Sequence, residues 1–136
     1  MNSRLDEMQA AILRVRLPKL AGWTAKRRTL AAAYRAALAD APVEVPKECD
    51  AGHVYHLFVV RSQARAALQA QLDERGIETL IHYPVPIPRQ PALAGTEPAD
   101  CPVAARVCDE VLSLPLYPHL RNADLARIAG AIKGDR

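Results

Sequence analysis

The sequence predicts an α+β domain in which two N-terminal helices precede a small three-stranded, mostly antiparallel sheet with helices packed on it. Three observations carry that expectation. Apolar residues recur at helical spacing through the first 40 positions, three short apolar runs follow with helical stretches between them, and six of the 11 prolines fall between positions 84 and 102. Half of the 136 residues are hydrophobic and 24% are charged, a balance that supports one ordinary core and argues against wholesale disorder.

The first helix is expected over 5–17. Leu5, Met8, Ile12 and Val15 mark one face, and Asp6 and Glu7 stand in the first turn, where negative charge suits the helix dipole. Asn2 or Ser3 is a local cap for it. Pro18 then interrupts the pattern or opens a second helix over 19–39, since proline is tolerated at a first helical position. Its apolar stripe is Leu20, Trp23, Leu30, Tyr34 and Leu38, and a run of alanines adds helix propensity. Pro42 and Pro46 make 41–46 an extended connection.

Residues 54–60 are apolar at nearly every position and rich in β-branched and aromatic side chains, which predicts a strand covered on both faces. Ser62 is expected to cap a helix bearing Ala64, Leu68 and Leu72, with Gly76 ending it. A second strand is expected over 77–81, then a proline-rich loop from His82 to Cys101. Pro102 opens a helix with Val103, Val107 and Val111 on one face, and 112–114 form the third strand. Asn122 is the expected cap of the last helix, whose face is Leu125, Ile128, Ala129 and Ile132 and whose stop is Gly134.

Several function classes are disfavoured. Eighteen basic against 15 acidic residues is too balanced for a dedicated nucleic-acid binder. No apolar run reaches the roughly 20 residues of a membrane helix, and the opening residues lack a secretory signal, so a soluble cytoplasmic chain is expected. Cys49, Cys101 and Cys108 have neither a disulfide framework's number nor paired metal-site spacing. His53 and His56 would point to opposite faces of a strand, so no metal site is expected. Phosphate-cradling glycine motifs are missing, and Lys26-Arg27-Arg28 reads as a solvated helix face. One segment stands out: in His82-Tyr83-Pro84-Val85-Pro86 an imidazole and a phenol precede a loop stiffened by prolines, a favoured place for function. The alternative there is that Tyr83 packs and His82 closes a strand end.

Taken together, these segments resemble the C-terminal part of the DegT/DnrJ/StrS family of sugar aminotransferases, pyridoxal-phosphate enzymes of fold type I. Asn2-Ser3-Arg4-Leu5-Asp6-Glu7-Met8-Gln9-Ala10-Ala11 is similar to the family's N-x-R-(L/M)-x-E-(L/M)-Q-A-A run. The stretch from His53 to Arg61 resembles the strand opening its small domain, and Arg75-Gly76-Ile77 followed by His82-Tyr83-Pro84-Val85-Pro86 resembles its G-I-x-x-x-x-H-Y-P-x-P segment. Gln90-Pro91, Pro102-Val103-Ala104 and Leu112-Ser113-Leu114-Pro115 complete a likeness that spans essentially the whole chain.

The resemblance implies a fragment: 1–40 as an interdomain helical segment, 41–136 as the small C-terminal domain, and a large cofactor-binding domain absent from this chain. It implies an enzyme that aminates a nucleotide-linked keto-sugar, with glutamate as donor, for cell-surface polysaccharide or antibiotic sugars. Asn2 would reach the phosphate of pyridoxal 5'-phosphate across a homodimer interface, Arg4 would be structural, and His82 and Tyr83 would line the sugar-nucleotide side. No catalytic residue is expected here, because Lys19, Lys26, Lys47 and Lys133 do not resemble the Schiff-base lysine in context. The remaining alternatives are a non-catalytic regulatory module and the small domain of a sugar dehydratase. Isolated, the first helix would leave its stripe uncovered.

Overall fold

Asp6 starts the first helix. The computed structural model describes residues 6–93 and 100–134, so Asn2, Ser3, Arg4 and Leu5 lie outside the described residues. Helix α1 runs Glu7–Arg16, and the Asp6 carboxylate accepts from the Gln9 backbone N–H at 2.7 Å. That bond satisfies one of the orphan donors of the first turn, and it places the described start two residues later than expected. Glu7 at one end and Arg14 and Arg16 at the other suit the dipole. No residue of α1 is buried; Met8 is 75% and Val15 68% exposed.

A single 3₁₀ turn, Leu17–Lys19, takes Pro18 without breaking the path and leads directly into α2, Leu20–Ala37. Arg16 lies over the Trp23 ring, 5.6 Å from its centroid, across that junction. The expected stripe of α2 is buried only toward its end: Leu20 is exposed, whereas Leu30, Ala31 and Tyr34 are buried, as is Leu38 just beyond the helix. Tyr34 stacks on Phe58 with centroids 4.7 Å apart and donates its hydroxyl to the Pro115 carbonyl at 3.0 Å. Burial pushes its phenol well above the usual tyrosine range.

Among the described residues the sheet has two strands, not three. Strand β1, Phe58–Arg61, pairs antiparallel with β2, Val111–Leu114, in a register that sets Phe58 opposite Leu114 and Val59 opposite Ser113. The expected strand over 77–81 contributes only Leu80, which forms a single bridge with Ser113; on the other side Glu44 forms one with Arg61. The ladder stops there because the chain turns at His82 into a proline-rich run whose prolines have no N–H to donate. β1 is also shorter than expected. Residues 54–57 are irregular, Tyr55 adopts a positive φ of 49°, and Arg28 ties the preceding loop to α2 through the Ala51 and His53 carbonyls. In β1 Phe58 and Val60 are buried and Val59 and Arg61 half-buried, so the strand alternates instead of being sealed on both faces.

Helix α3, Arg65–Glu74, begins later than expected: Ser62 accepts from the Ala64 N–H at 3.2 Å and shapes the turn before the helix. Gly76 ends this segment at φ 66°, a conformation that favours glycine. Two short 3₁₀ turns, Ile87–Arg89 and Pro91–Leu93, pattern the proline-rich loop. Helix α4, Pro102–Glu110, passes into β2 so abruptly that Val111, expected on the helical face, is the first strand residue. Helix α5, Asn122–Lys133, has Arg121 at the cap position in place of Asn122. Arg121 instead grips Asp124 two-pronged, at 2.7 and 2.8 Å, which holds that carboxyl below the usual range.

Helix α5 packs on α2 and α3, and α3 on β2. One core joins Tyr34, Leu38, Phe58, Leu72, Leu112 and Ile128, each contributing about 1.5–3 kcal/mol of burial. No described helix is long and apolar enough to cross a membrane.

Candidate functional site

The centre of β2 builds the site. Ser113 exchanges two backbone hydrogen bonds with Leu80, its N–H donating at 2.7 Å and its carbonyl accepting at 3.3 Å. This anchors the chain two residues before His82. The His82 ring then turns back onto the same strand, its Nδ1 2.9 Å from Ser113 Oγ. The peptide between His82 and Tyr83 is cis. Tyr83 does not pack: it is 72% exposed and meets His82 only edge-on, with centroids 5.6 Å apart.

His82 and Ser113 line a cavity of about 530 Å³. Ile77, Leu114, Leu120 and Ile128 supply its apolar wall, and His56, Glu78, Tyr117, Asp124 and Arg127 bring polar groups to it. A cleft of this size with a few convergent polar side chains is the usual form of a small-molecule site. The sequence pointed to His82 but not to Ser113, Tyr117 or Arg127. Ser113 did carry a signal, as a lone hydroxyl between two leucines in an apolar strand.

A second hollow, about 740 Å³, lies beside Arg61. Its guanidinium bonds Glu44 Oε1 at 3.0 Å and takes Glu110 Oε2 through both Nε and Nη2. Glu110 and then Glu44 engage this arginine and raise its pKa, so the trio clamps residue 44, β1 and the end of α4 together, while Arg106 also lines the hollow.

The remaining candidates resolve as structural. His53 Nδ1 accepts from the Tyr55 N–H at 3.0 Å and its ring lies against Tyr55, whose hydroxyl bonds Glu48. Arg28 of the basic cluster is spent on loop carbonyls. Cys49 and Cys101 are exposed free thiols, and Cys108 is half-buried on α4. Among the described residues no group of three or more His, Cys, Asp or Glu side chains is placed to hold a metal ion. Lys19, Lys26, Lys47 and Lys133 are exposed and line neither cavity. A Schiff-base lysine works from a desolvated pocket, so these residues do not by themselves fit pyridoxal phosphate.

The family model described as the DegT/DnrJ/EryC1/StrS aminotransferase family matches residues 1–133. The dTDP-3-amino-3,4,6-trideoxy-alpha-D-glucose transaminase of Streptomyces venezuelae is 46% identical over 97% of this chain, and the match takes up 36% of that protein. The erythromycin biosynthesis sensory transduction protein EryC1 of Saccharopolyspora erythraea is 44% identical over 97% of the chain and 37% of its own length. In three dimensions the crystal structure of S. venezuelae DesV in complex with a ketimine intermediate superposes with a TM-score of 0.90 at 44% identity, covering 98% of this chain and 37% of that one. The chain thus spans just over a third of the length of the relatives it matches.

Proposed function

The chain belongs to the DegT/DnrJ/EryC1/StrS aminotransferase family, and from that premise we propose that it is the C-terminal portion of a cytoplasmic, homodimeric, pyridoxal-phosphate-dependent enzyme that transfers an amino group from glutamate to a nucleotide-linked keto-sugar. One observation carries this reading: nearly the whole chain corresponds, at 46% identity, to part of a curated dTDP-sugar transaminase. The exposed lysines agree with a division of labour in which another part of the parent supplies the Schiff base.

When bound, the cofactor supplies the electron sink, and the protein's task is to bind and orient. Within this chain that task falls to three residues. Asn2, an amide donor, would hydrogen-bond a phosphate oxygen in the partner subunit's site. His82, at the cavity rim, and Tyr83, exposed beside it, would meet the sugar nucleotide.

The test is the full-length protein containing this chain, supplied with glutamate and nucleotide-linked keto-sugars. Formation of 2-oxoglutarate together with an aminated sugar is expected. In that protein Asn2→Ala should weaken cofactor retention by about 1.5–3 kcal/mol, the worth of a hydrogen bond to a charged acceptor. Mixed dimers with one Asn2→Ala subunit and one subunit lacking the Schiff-base lysine reveal which site fails; loss within the mutated subunit's own site contradicts the in-trans contact. A regulatory reading is favoured by the name of the S. erythraea relative, a sensory transduction protein, and a full-length protein that binds cofactor yet aminates no sugar would support it.

A further inference from the structure

We infer that Ser113 is a positioning residue: its hydroxyl holds the His82 ring and sets the tautomer in which Nε2–H is presented to an oxygen atom of the sugar nucleotide. This rests on the assignment of His82 to the sugar-nucleotide side of the site.

Ser113 is only 5% exposed, in the middle of β2. A buried hydroxyl must place its hydrogen on an acceptor, and among the described residues the side-chain partner within reach is Nδ1 of His82, at 2.9 Å. When the hydroxyl donates, Nδ1 carries no hydrogen and Nε2 carries the ring proton. Ser113 thereby turns an ambidextrous ring into a defined donor. The backbone reinforces the choice, because the same residue holds Leu80 by two hydrogen bonds. Three bonds from one strand residue thus fix a short segment ending at His82. Nucleotide-linked sugars offer phosphate, hydroxyl and carbonyl oxygens, all acceptors, to which an N–H donor is the complement. The half-buried ring lines the 530 Å³ cavity, with one nitrogen taken by the protein and the other free for a ligand.

Nitrogen-15 spectra of the histidine rings in the 136-residue chain read the tautomer directly. His82 is expected to show the Nε2–H form, Ser113→Ala to shift it toward a mixture, and Ser113→Thr, which keeps the hydroxyl, to restore it. An unchanged His82 signature in Ser113→Ala overturns the positioning role, and amide spectra establish that the sheet is intact in each variant. In the full-length protein Ser113→Ala is expected to raise KM for the nucleotide sugar about three- to tenfold, the effect of one misplaced hydrogen bond, while kcat and KM for the amino donor stay within about twofold. Equal losses toward both substrates, or a loss in kcat alone, contradict it. His82→Gln separates the two layers: if it leaves KM for the nucleotide sugar unchanged, the assignment of His82 fails even where the ring spectra show the Ser113 bond.

Discussion

The two ends of α2 face opposite circumstances. From Leu30 onward the helix is sealed against Phe58 and α5, with Tyr34 hydrogen-bonded to a carbonyl 81 residues away. Before that point, and throughout α1, the apolar side chains of Met8, Ile12, Val15, Leu17 and Leu20 stand exposed. The same amphipathic pattern is therefore spent within the chain in one region and left unspent in the other. An uncovered apolar stripe is the kind of surface that interfaces use, and the chain spans only 36% of the length of the S. venezuelae transaminase.

The largest effects are expected in the core. Leu112→Ala should cost about 2–5 kcal/mol, as large-to-small changes at fully buried leucines do, and chemical denaturation of the isolated chain measures it. Tyr34→Phe keeps the stacking on Phe58 and loses only the bond to Pro115, so about 1 kcal/mol is expected by the same method. Replacing Ile12 and Val15 by Gln should change the isolated chain's stability by less than about 0.5 kcal/mol each, as exposed positions do. A loss as large as that of Leu112→Ala would show that α1 belongs to the core.

The smallest effect is expected at Asp124. Arg121 holds its carboxyl below the ordinary range in the folded chain, so the pair's contribution is present above the unfolded-state pKa of about 3.9 and is lost as pH falls through the lower, folded value. Asp124→Asn should lower Tm slightly at neutral pH and converge with the unsubstituted chain in acid, so that the acid side of its Tm against pH profile is flatter.

How far the sequence alone reached follows from the range of the forces involved. Helices α2 to α5 were legible because their periodicity and stops are local: Pro102 does begin α4, and Gly134 does close α5 at φ 84°. The shortened β1 was not, since the loop before it is held by Arg28, more than 20 residues earlier. The third strand failed for a similar reason, its ladder ending after Leu80 where the neighbouring loop turns away. In the site, prolines marked His82 and Tyr83. The hydroxyl that His82 meets lies 31 residues further on, and no spacing rule joins the two. The cap of α1 was misplaced because Asn2, Ser3 and Asp6 are all competent acceptors, and only the backbone decides among them.

Hydrogen exchange on the isolated 136-residue chain, paired with its size at several concentrations, tests most directly whether α1 awaits a partner. Rapid exchange is expected over Glu7–Arg16, or protection that appears only as the chain self-associates, beside slow exchange in β1, β2 and α5. Strong protection of Glu7–Arg16 in a chain that stays monomeric at every concentration would contradict it, because α1 would then be folded against its own domain.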